Sequence, residues 1–465
     1  MQLSKSTPTN THAVVIGGSM AGLLSGRVLA DHFDRVTIIE KGYFPEKPSF
    51  RPGVPQSPHL HFLLMQGRII LDKLFPGFTE DLMAAGAQLL DMTADVAWLK
   101  PFGWAVRFPS DFNILSLSRS LLDWYIHKRL LALKLVNFLE GGSVTGLLSQ
   151  NDGIVTGVSV RIRDRSSPEN SRQEEIRADL VVDASGRNSK TPQWLESLGY
   201  QAPKEALVNA HPGYASCTYQ IPSGFKADWK AVYLQGSPPK QPRAAILYPI
   251  EGDRWIVSTM SIAPDYPPGD EAGFLEFLSK LESPILYDTL KNAQPLSPVV
   301  TYRPSGNRRR YYEQLPKQPE GFIVTGDSVC TFSPVYGQGV TVSALEAITL
   351  GQCLQNGLAG VERRFQKELG KVVTGPWLAA TTQDARYDGV EGKSLTFKEH
   401  LLQGYMDRVD ELATTNPDIC LKLFDVIHMI KSPDSLLEPA LAMRVLMQAL
   451  GNFRFEKGSL QEKQG

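Results

Sequence analysis

A glycine-rich segment near the beginning of the chain has the residue types and the spacing to bind a nucleotide pyrophosphate: Gly17-Gly18-Ser19-Met20-Ala21-Gly22. In such a turn the first glycine permits the bend, the second lets the backbone approach phosphate, and the third lets a helix pack on a strand. Gly17 and Gly22 occupy the first and third places. Ser19 occupies the second, where its small side chain leaves room and its hydroxyl can donate to a phosphate oxygen.

The elements that must position this turn are a strand, a helix and a second strand. Residues 13–16 are apolar, residues 20–32 have a helical pattern, and residues 36–39 are apolar and β-branched. Glu40 ends the second strand about 20 residues after the turn, where an acidic side chain accepts hydrogen bonds from a ribose. The sequence therefore predicts a βαβ nucleotide site.

A second constellation lies in residues 321–350, where a strand leads to Gly326 and Asp327 and a glycine-rich turn opens a helix near Val340. Asp327 is placed to accept hydrogen bonds from ribityl hydroxyls. The turn contains Gly337 and Gly339, which let the backbone approach a ligand, and the helix start favours the negative charge of a reduced flavin. Taken alone, the segment also fits a glycine-rich connection with a structural aspartate.

A third segment, residues 179–189, contains a strand that ends in a sharp turn at Asp183-Ala184-Ser185-Gly186. Such a turn can lie beside a ligand, or it can be an ordinary exit from a strand. In sequence order, the three segments resemble the flavin fingerprints of the FAD-dependent aromatic hydroxylase superfamily, typified by p-hydroxybenzoate hydroxylase. The likeness runs from about residue 12 to about residue 395.

Three shorter stretches resemble a bacterial branch of that superfamily that includes the polyether-antibiotic epoxidases: RPGVPQSPHLH, NRRRYYE and SPVYGQGVT. The resemblance implies an FAD-dependent monooxygenase that epoxidises or hydroxylates a largely apolar small molecule. NADH or NADPH, or a separate flavin reductase, would reduce the flavin, and O2 would then form a C4a-hydroperoxide that transfers one oxygen atom. No catalytic side chain is required, because the cofactor carries the hard chemistry.

The resemblance also implies which residues contact FAD. Two of them depart from the common pattern, because Ser19 replaces the middle glycine and Thr341 stands where many relatives have asparagine. The expected cofactor-binding residues are Gly17, Gly18, Ser19, Met20, Ala21, Gly22, Glu40, Lys41, Arg51, Arg119, Asp183, Gly186, Gly326, Asp327, Pro334, Gly337, Gly339, Val340 and Thr341.

The stretch 211–262 has short strands rich in large apolar residues, and it predicts an antiparallel sheet. Four of its residues either line a substrate cavity or form the core of the sheet: Tyr214, Tyr219, Trp255 and Met260. His59 and His61 are expected on a helix, where residues two apart point to opposite faces, so no metal site is predicted. The run of arginines at 308–310 fits a solvated surface better than an anion site.

The predicted fold class is α/β: a Rossmann-like (GR2-type) FAD-binding domain, an antiparallel β-sheet substrate domain and a C-terminal helical region. The FAD domain is expected in residues 1–90, 115–200 and 301–375, the substrate domain in 91–114 and 201–300, and the helical region in 376–465. Helices are expected in 58–75 and 117–139. A hairpin is expected from strands 154–162 and 176–182 around a solvated loop at 163–175.

The chain has 465 residues, enough for two or three domains. Its composition is 42% hydrophobic and 21% charged with a net charge of −1, which is typical of a globular enzyme and argues against a nucleic-acid partner. The four cysteines are widely spaced and form no C-x-x-C pair, so a reducing cytoplasm is expected. Neither a signal peptide nor a transmembrane segment is expected.

Other flavoprotein classes stay open at this point. A flavin-dependent halogenase shares the scaffold, but the sequence has no W-x-W-x-I-P segment of the kind usual in that group. A reductase or dehydrogenase of the geranylgeranyl-reductase type would consume no oxygen in its productive half-reaction. A non-catalytic flavin-binding protein would not turn over.

Overall fold

The computed structural model describes residues 10–150, 153–165 and 170–462, with side chains up to residue 450. The strands are β1 (His12–Ile16), β2 (Arg35–Glu40), β3 (Gln88–Asp91), β4 (Val96–Lys100), β5 (Gly103–Trp104), β6 (Asn113–Ser116), β7 (Val136–Glu140), β8 (Gly142–Ser149), β9 (Val155–Arg163), β10 (Ser171–Arg177), β11 (Leu180–Asp183), β12 (Glu205–Val208), β13 (Pro212–Gln220), β14 (Ala231–Leu234), β15 (Ala244–Ile250), β16 (Arg254–Ile262), β17 (Val300–Tyr302), β18 (Asn307–Arg310), β19 (Phe322–Val324) and β20 (Cys330–Thr331). The α-helices are α1 (Met20–Leu29), α2 (Met65–Leu74), α3 (Phe78–Ala84), α4 (Arg119–Leu131), α5 (Thr191–Ser197), α6 (Glu271–Ser279), α7 (Ile285–Leu290), α8 (Gly339–Leu354), α9 (Val361–Asp384), α10 (Phe397–Ala413), α11 (Pro417–Ile427) and α12 (Pro439–Glu462).

A five-stranded parallel sheet has the order β19-β11-β1-β2-β7. Its central strands β1 and β11 are completely buried, as expected for a parallel sheet covered on both faces. The register aligns Ile16 of β1 with Asp183 of β11, and Asp183 with Val324 of β19. The three predicted ligand segments therefore leave the sheet at the same edge.

A seven-stranded sheet has the order β17-β13-β16-β15-β14-β4-β5. Its pairings are antiparallel except for the parallel pair β14–β4. One face packs against α6 and α7 in a single apolar cluster. The other face shares a second apolar cluster with α10, α11 and α12, so the C-terminal helices lie on the same sheet.

Two expected helices are shorter in the structure. The helix expected at 58–75 begins only at Met65: residues 59–64 are not helical, and the N-cap Leu64 is extended. The helix expected at 117–139 ends at Leu131, and the chain then forms β7 of the parallel sheet. In both stretches the apolar pattern extends beyond the helix, into a segment that is not helical.

The expected hairpin has a different second strand. β9 pairs with β10, whereas β11 leaves the hairpin and joins the parallel sheet. β10 was missed because it is polar and exposed along most of its length, so its composition is that of a loop. Part of the expected loop, residues 166–169, lies outside the described residues. The boundary expected at residue 375 falls inside α9, which contains Pro376.

No helix in the described ranges is long and apolar enough to cross a membrane.

The third glycine of the first turn gives a stability prediction. A Cβ added at Gly22 would lie 1.9 Å from the carbonyl oxygen of Gly17, so Gly22→Ala must force α1 away from β1. We expect it to lower the free energy of unfolding by about 1–3 kcal/mol, as for other overpacked sites. A Cβ added at Gly404 in α10 would have no heavy atom within 4 Å. Gly404→Ala should therefore raise the free energy of unfolding by about 0.5–1 kcal/mol. Urea denaturation measures both, and equal effects would contradict the packing role of Gly22.

Candidate functional site

One cavity of about 2110 Å³ connects the edge of the parallel sheet with the inner face of the seven-stranded sheet. A pocket for one small molecule typically measures about 300–1,000 Å³, so this cavity has room for more than one ligand. We call its first end the cradle, lined by residues 16–21, 39–42 and 184–187, and its second end the chamber, lined by the sheet and the C-terminal helices.

The first turn forms the floor of the cradle. Gly17 has φ of +103°, and a Cβ there would lie 2.4 Å from the carbonyl oxygen of Ala184, so only glycine fits. Ser19 is the N-cap of α1, yet its side chain makes no capping hydrogen bond. The first turn of α1 contains no acidic residue. Its free N–H groups and the positive end of the helix dipole therefore favour an anion here.

Glu40 is held in a fixed position at the cradle wall. Its Oε2 accepts a hydrogen bond from Gly18 N–H at 2.8 Å, and its Oε1 accepts one from Gly42 N–H at 2.7 Å. Arg51 lies 3.1 Å from Oε2 and also donates to the carbonyl oxygen of Gly18. Arg51 does not line the cavity, so it braces the turn from behind, whereas Lys41 and Glu40 are on the wall.

Arg119 brings a positive charge to the cradle. It is the first residue of α4, whose N-cap Ser118 accepts a hydrogen bond from the backbone of Leu121. Its Nε donates to Asp123 at 2.7 Å, and its Nη2 lies 3.4 Å from the Ser19 hydroxyl. The pair Arg119–Asp123 is 95% buried, which fixes the guanidinium beside the first turn.

Asp327 also lies on the cavity wall, after Gly326 with φ of +63°. Burial raises the pKa of Asp327, and the positive charges of Arg187 and Arg119 oppose that rise. Gly326 itself does not line the cavity. It is held by Glu346, which accepts from the Gly326 N–H at 2.7 Å and whose pKa burial raises to about 7.

The glycine-rich turn before α8 packs against residues 59–62, and both segments line the cavity. Pro334, Gly337, Gly339 and Val340 are all on the wall. A Cβ added at Gly337, where φ is +61°, would lie 2.7 Å from the Cβ of Phe62. We call this narrow region, formed by residues 59–62 and 333–339, the waist.

Five expected cofactor residues lie behind the wall: Gly22, Arg51, Asp183, Gly326 and Thr341. Asp183 is completely buried and accepts hydrogen bonds from the Ser185 N–H and from the hydroxyls of Ser189 and Thr191. It shapes the turn, while Gly186 lines the cavity. Thr341 is also completely buried and packs against Gly67 of α2. The remaining expected cofactor residues, Met20 and Ala21 among them, line the cavity.

The four expected substrate residues divide into two pairs. Tyr214 and Met260 line the chamber, whereas Tyr219 and Trp255 lie in the apolar cluster on the opposite face of the sheet. There the ring of Trp255 packs edge-on against that of Phe225, with 4.8 Å between the ring centroids. Tyr219 and Trp255 are therefore core residues. Residues five apart on one strand point to opposite faces, so strand alternation separates Tyr214 from Tyr219 on β13 and Met260 from Trp255 on β16.

The chamber contains residues that the sequence did not single out. Lys100 ends the buried strand β4, is 1% exposed, and pairs with Asp410 of α10 at 2.5 Å. The available signal was a lysine at the end of an otherwise apolar strand. Apolar and aromatic side chains complete the walls: Trp98, Tyr233, Ile246, Tyr248, Met406, Leu423, Ile427 and Leu436.

The arginine run and the histidines also differ from expectation. Arg309 and Arg310 are buried in β18, where Arg309 pairs with Glu313 and Arg310 with Glu205, so the run is not a solvated surface. His59 precedes α2 and is not helical. Within the described part of the chain, no cluster of three or more His, Cys, Asp or Glu residues could hold a metal ion.

No family model matches the sequence. The chain is 32% identical to Protein Rv3254 of Mycobacterium tuberculosis over 364 residues, which cover 77% of this chain and 76% of that protein. It belongs to the same family as that protein.

Solved structures show the same fold at low sequence identity. The flavin-dependent brominase Bmp2 has a TM-score of 0.65 at 19% identity, with 90% of this chain and 94% of that chain covered. A flavoprotein/dehydrogenase from Cytophaga hutchinsonii has a TM-score of 0.67 at 16% identity, covering 95% and 100%. PqsL of Pseudomonas aeruginosa, a probable FAD-dependent monooxygenase, has a TM-score of 0.58 at 14% identity, covering 81% and 97%. The overall architecture is therefore that of flavin-dependent enzymes.

His428, on the chamber wall, gives a pH prediction. It is 1% exposed, its Nδ1 accepts from the Met65 N–H, and burial lowers its pKa to about 3. Between pH 6.5 and 3 the unfolded chain binds a proton there that the folded chain does not, so stability falls as the pH falls. His428→Asn should reduce the loss of unfolding free energy between pH 7 and pH 5 by up to about 2 kcal/mol.

Urea denaturation at the two pH values measures this difference. The exposed His400 supplies the matched control, since His400→Asn should leave the loss as large as in the unsubstituted protein. An undiminished loss in His428→Asn would show that His428 does not stay neutral in the fold.

Proposed function

We propose that this protein is an FAD-dependent monooxygenase that inserts one oxygen atom into a largely apolar small molecule, by epoxidation or hydroxylation. The reaction consumes substrate, O2, NADH or NADPH and one proton, and it yields oxygenated substrate, water and the oxidised nicotinamide. The nicotinamide acts on the protein directly or through a separate flavin reductase. When bound, FAD would accept the hydride and activate the oxygen.

The residues of the cradle fit this cofactor. The first turn and the start of α1 suit a pyrophosphate, and Arg119 adds a fixed positive charge beside it. Glu40 lies about 20 residues after the first turn, at the position where an acidic side chain binds the ribose in such folds. Asp327 and the turn with Gly337 and Gly339 suit the ribityl chain and the ring. A Cβ at Gly186 or Gly339 would project into open space, which leaves room for a ligand at both turns.

The observation that carries the proposal is the continuity of the cavity. The polar cradle and the apolar chamber meet at the waist, so a cofactor in one and a substrate in the other would come into contact there. The aromatic and aliphatic walls of the chamber exclude water and favour an apolar substrate. The protein thus orients the two reactants, and no acid–base triad is needed.

A flavin-dependent halogenase is the second candidate. The observation in its favour is the shared fold with a brominase and with the chondrochloren halogenase CndH, which has a TM-score of 0.62 at 16% identity. The missing W-x-W-x-I-P segment favours the monooxygenase. A reductase or dehydrogenase is the third class, and the protein from Cytophaga hutchinsonii is named as a flavoprotein/dehydrogenase.

The four cysteines support a reducing compartment. Each is free and buried, and none is paired with another. Reduced thiols of this kind are the rule in the cytoplasm, where we propose that the protein acts.

Retention of FAD tests the cradle. Asp327→Ala removes a charged hydrogen-bond acceptor, and such bonds contribute about 1.5–3 kcal/mol, so the dissociation constant of FAD should rise at least tenfold. FAD per protein after dialysis, measured by absorbance, gives the result. Asp288→Ala, at an exposed position on α7, should retain as much FAD as the unsubstituted protein. Full retention by Asp327→Ala would remove Asp327 from the site.

Isotope labelling tests the reaction class. Reduced, FAD-loaded protein is incubated under ¹⁸O2 with candidate alkenes and electron-rich arenes, with and without bromide and chloride. We expect one ¹⁸O atom per product molecule, independent of halide, detected by mass spectrometry. A product that carries halogen and appears only with halide would assign a halogenase. Conversion without oxygen uptake would assign a reductase.

A further inference from the structure

Three buried polar atoms at the waist have no hydrogen-bond partner among the residues that the structure describes. They are His59 Nε2, the Tyr214 hydroxyl and the Ser333 hydroxyl. His59 and Tyr214 are each 6% exposed, Ser333 is 1% exposed, and all three residues line the cavity. Buried polar groups are normally paired, because leaving one unpaired costs stability. Three such atoms in one place indicate a ligand that pairs with them.

The three atoms belong to neighbouring side chains. The His59 ring lies 6.4 Å from the Tyr214 ring and 5.7 Å from the Tyr302 ring. The Tyr214 hydroxyl lies near Ser333 and the backbone of Val335, but the geometry of these contacts does not make a hydrogen bond. A single small polar group at the waist can therefore reach more than one of them.

The structure also sets which nitrogen of His59 carries its proton. Ser258 accepts a hydrogen bond from the Leu60 N–H at 3.2 Å, and its hydroxyl lies 2.6 Å from that of Ser216. Ser216 lies 2.7 Å from His59 Nδ1. Among the described residues that contact the Ser258 hydroxyl, Ser216 is the one that can accept its proton. When Ser258 donates to Ser216 and Ser216 donates to Nδ1, the ring proton is left on Nε2; the opposite direction leaves the Ser258 proton without an acceptor among the described residues.

The sheet register fixes this relay. Ser216 of β13 and Ser258 of β16 are directly paired across the two strands, on the face that also carries Tyr214 and Met260. Cross-strand partners on one face lie about 4.5–5.5 Å apart at Cβ, which brings two serine hydroxyls into contact. His59 lies on the cavity wall beside these serines, and its Nε2 has no partner among the described residues.

The waist is neutral around His59. Burial lowers the pKa of His59 to about 4, so the ring is uncharged near neutral pH. Burial also raises the pKa of Tyr214, which stays a hydroxyl, and the negative charge of Asp384 acts in the same direction. Asp384 disfavours an anion at this place, and a neutral acceptor avoids that repulsion.

We propose that the waist is a binding site for a neutral oxygen acceptor of the substrate, a carbonyl, ether or hydroxyl oxygen that receives a hydrogen bond from His59 Nε2–H. Tyr214 and Ser333 complete the site as hydroxyl partners. This inference rests on the proposed function and adds to it that the apolar substrate carries an oxygen group at the end that reaches the waist. His59 is a specificity-determining residue in this assignment.

A matched pair of probes tests the site in FAD-loaded protein: 2-acetylnaphthalene and 2-isopropenylnaphthalene, which have nearly the same shape but carry C=O and C=CH2. Isothermal titration should show that the ketone binds about tenfold more tightly than the alkene. His59→Phe keeps a flat ring and removes the donor, so the ratio should fall to about one. His59→Gln keeps an N–H donor and should restore part of the ratio.

Tyr219→Phe supplies the control, because it removes a buried hydroxyl on the opposite face of β13 from Tyr214, away from the cavity. Its ratio should remain about tenfold. Equal affinities in the unsubstituted protein, binding of neither probe, or an unchanged ratio in His59→Phe would overturn the proposal. FAD content is measured on the same samples, so protein that retains FAD but fails to distinguish the probes refutes this site alone.

The protonation state of His59 is tested without any substrate. ¹⁵N-histidine NMR, with the His59 signals assigned by their loss in His59→Gln, should show a neutral ring protonated on Nε2. Ser216→Ala should abolish that preference. A proton on Nδ1 would overturn the relay. A shift of the His59 signals on FAD loading, with no discrimination between the probes, would assign the donor to the flavin and overturn the substrate site.

Discussion

The insertion of β11 between β1 and β19 is the constraint on which the rest of the molecule depends. Parallel pairing aligns the carboxyl ends of the three strands, with Ile16, Asp183 and Val324 at adjacent positions. Segments separated by more than a hundred residues therefore turn at one edge of the sheet. The buried carboxylate of Asp183 then holds the middle turn through three hydrogen bonds, and Glu346 holds the third.

The second sheet depends on a simpler rule, the alternation of side chains along a strand. One face of β13 and β16 presents Tyr214, Ser216, Ser258 and Met260 to the cavity and its walls, and the other face packs on α6 and α7. Because both faces are covered, nearly every residue of these strands is buried. Burial alone thus carries no information about which aromatic residues meet a ligand, and the face of the sheet decides it.

Local patterns in the sequence were sufficient for the cradle. Gly22 packs on Gly17, and Glu40 accepts from Gly18, within one βαβ unit, so a local pattern is enough to locate these residues. Contacts between distant segments could not be predicted in this way. The pairing of Lys100 with Asp410 joins residues 310 apart. The strand β10 was missed for a different reason, because its polar composition resembles that of a loop although its partner β9 is adjacent in the chain. Apolar periodicity also misplaced the start of α2 and the end of α4, because the apolar pattern continues into an extended segment before α2 and into β7 after α4.

The division of the cavity between two sources of residues has an evolutionary consequence. The cradle is built from the parallel sheet, whereas one wall of the chamber comes from α10, α11 and the segment before α12. Substitutions in these helices can reshape the chamber while the turns at the sheet edge stay unchanged. Descendants of one ancestral chain can therefore diverge in what they accept while they keep the same cofactor site, and laboratory selection for new substrates would act most directly on the last quarter of the chain.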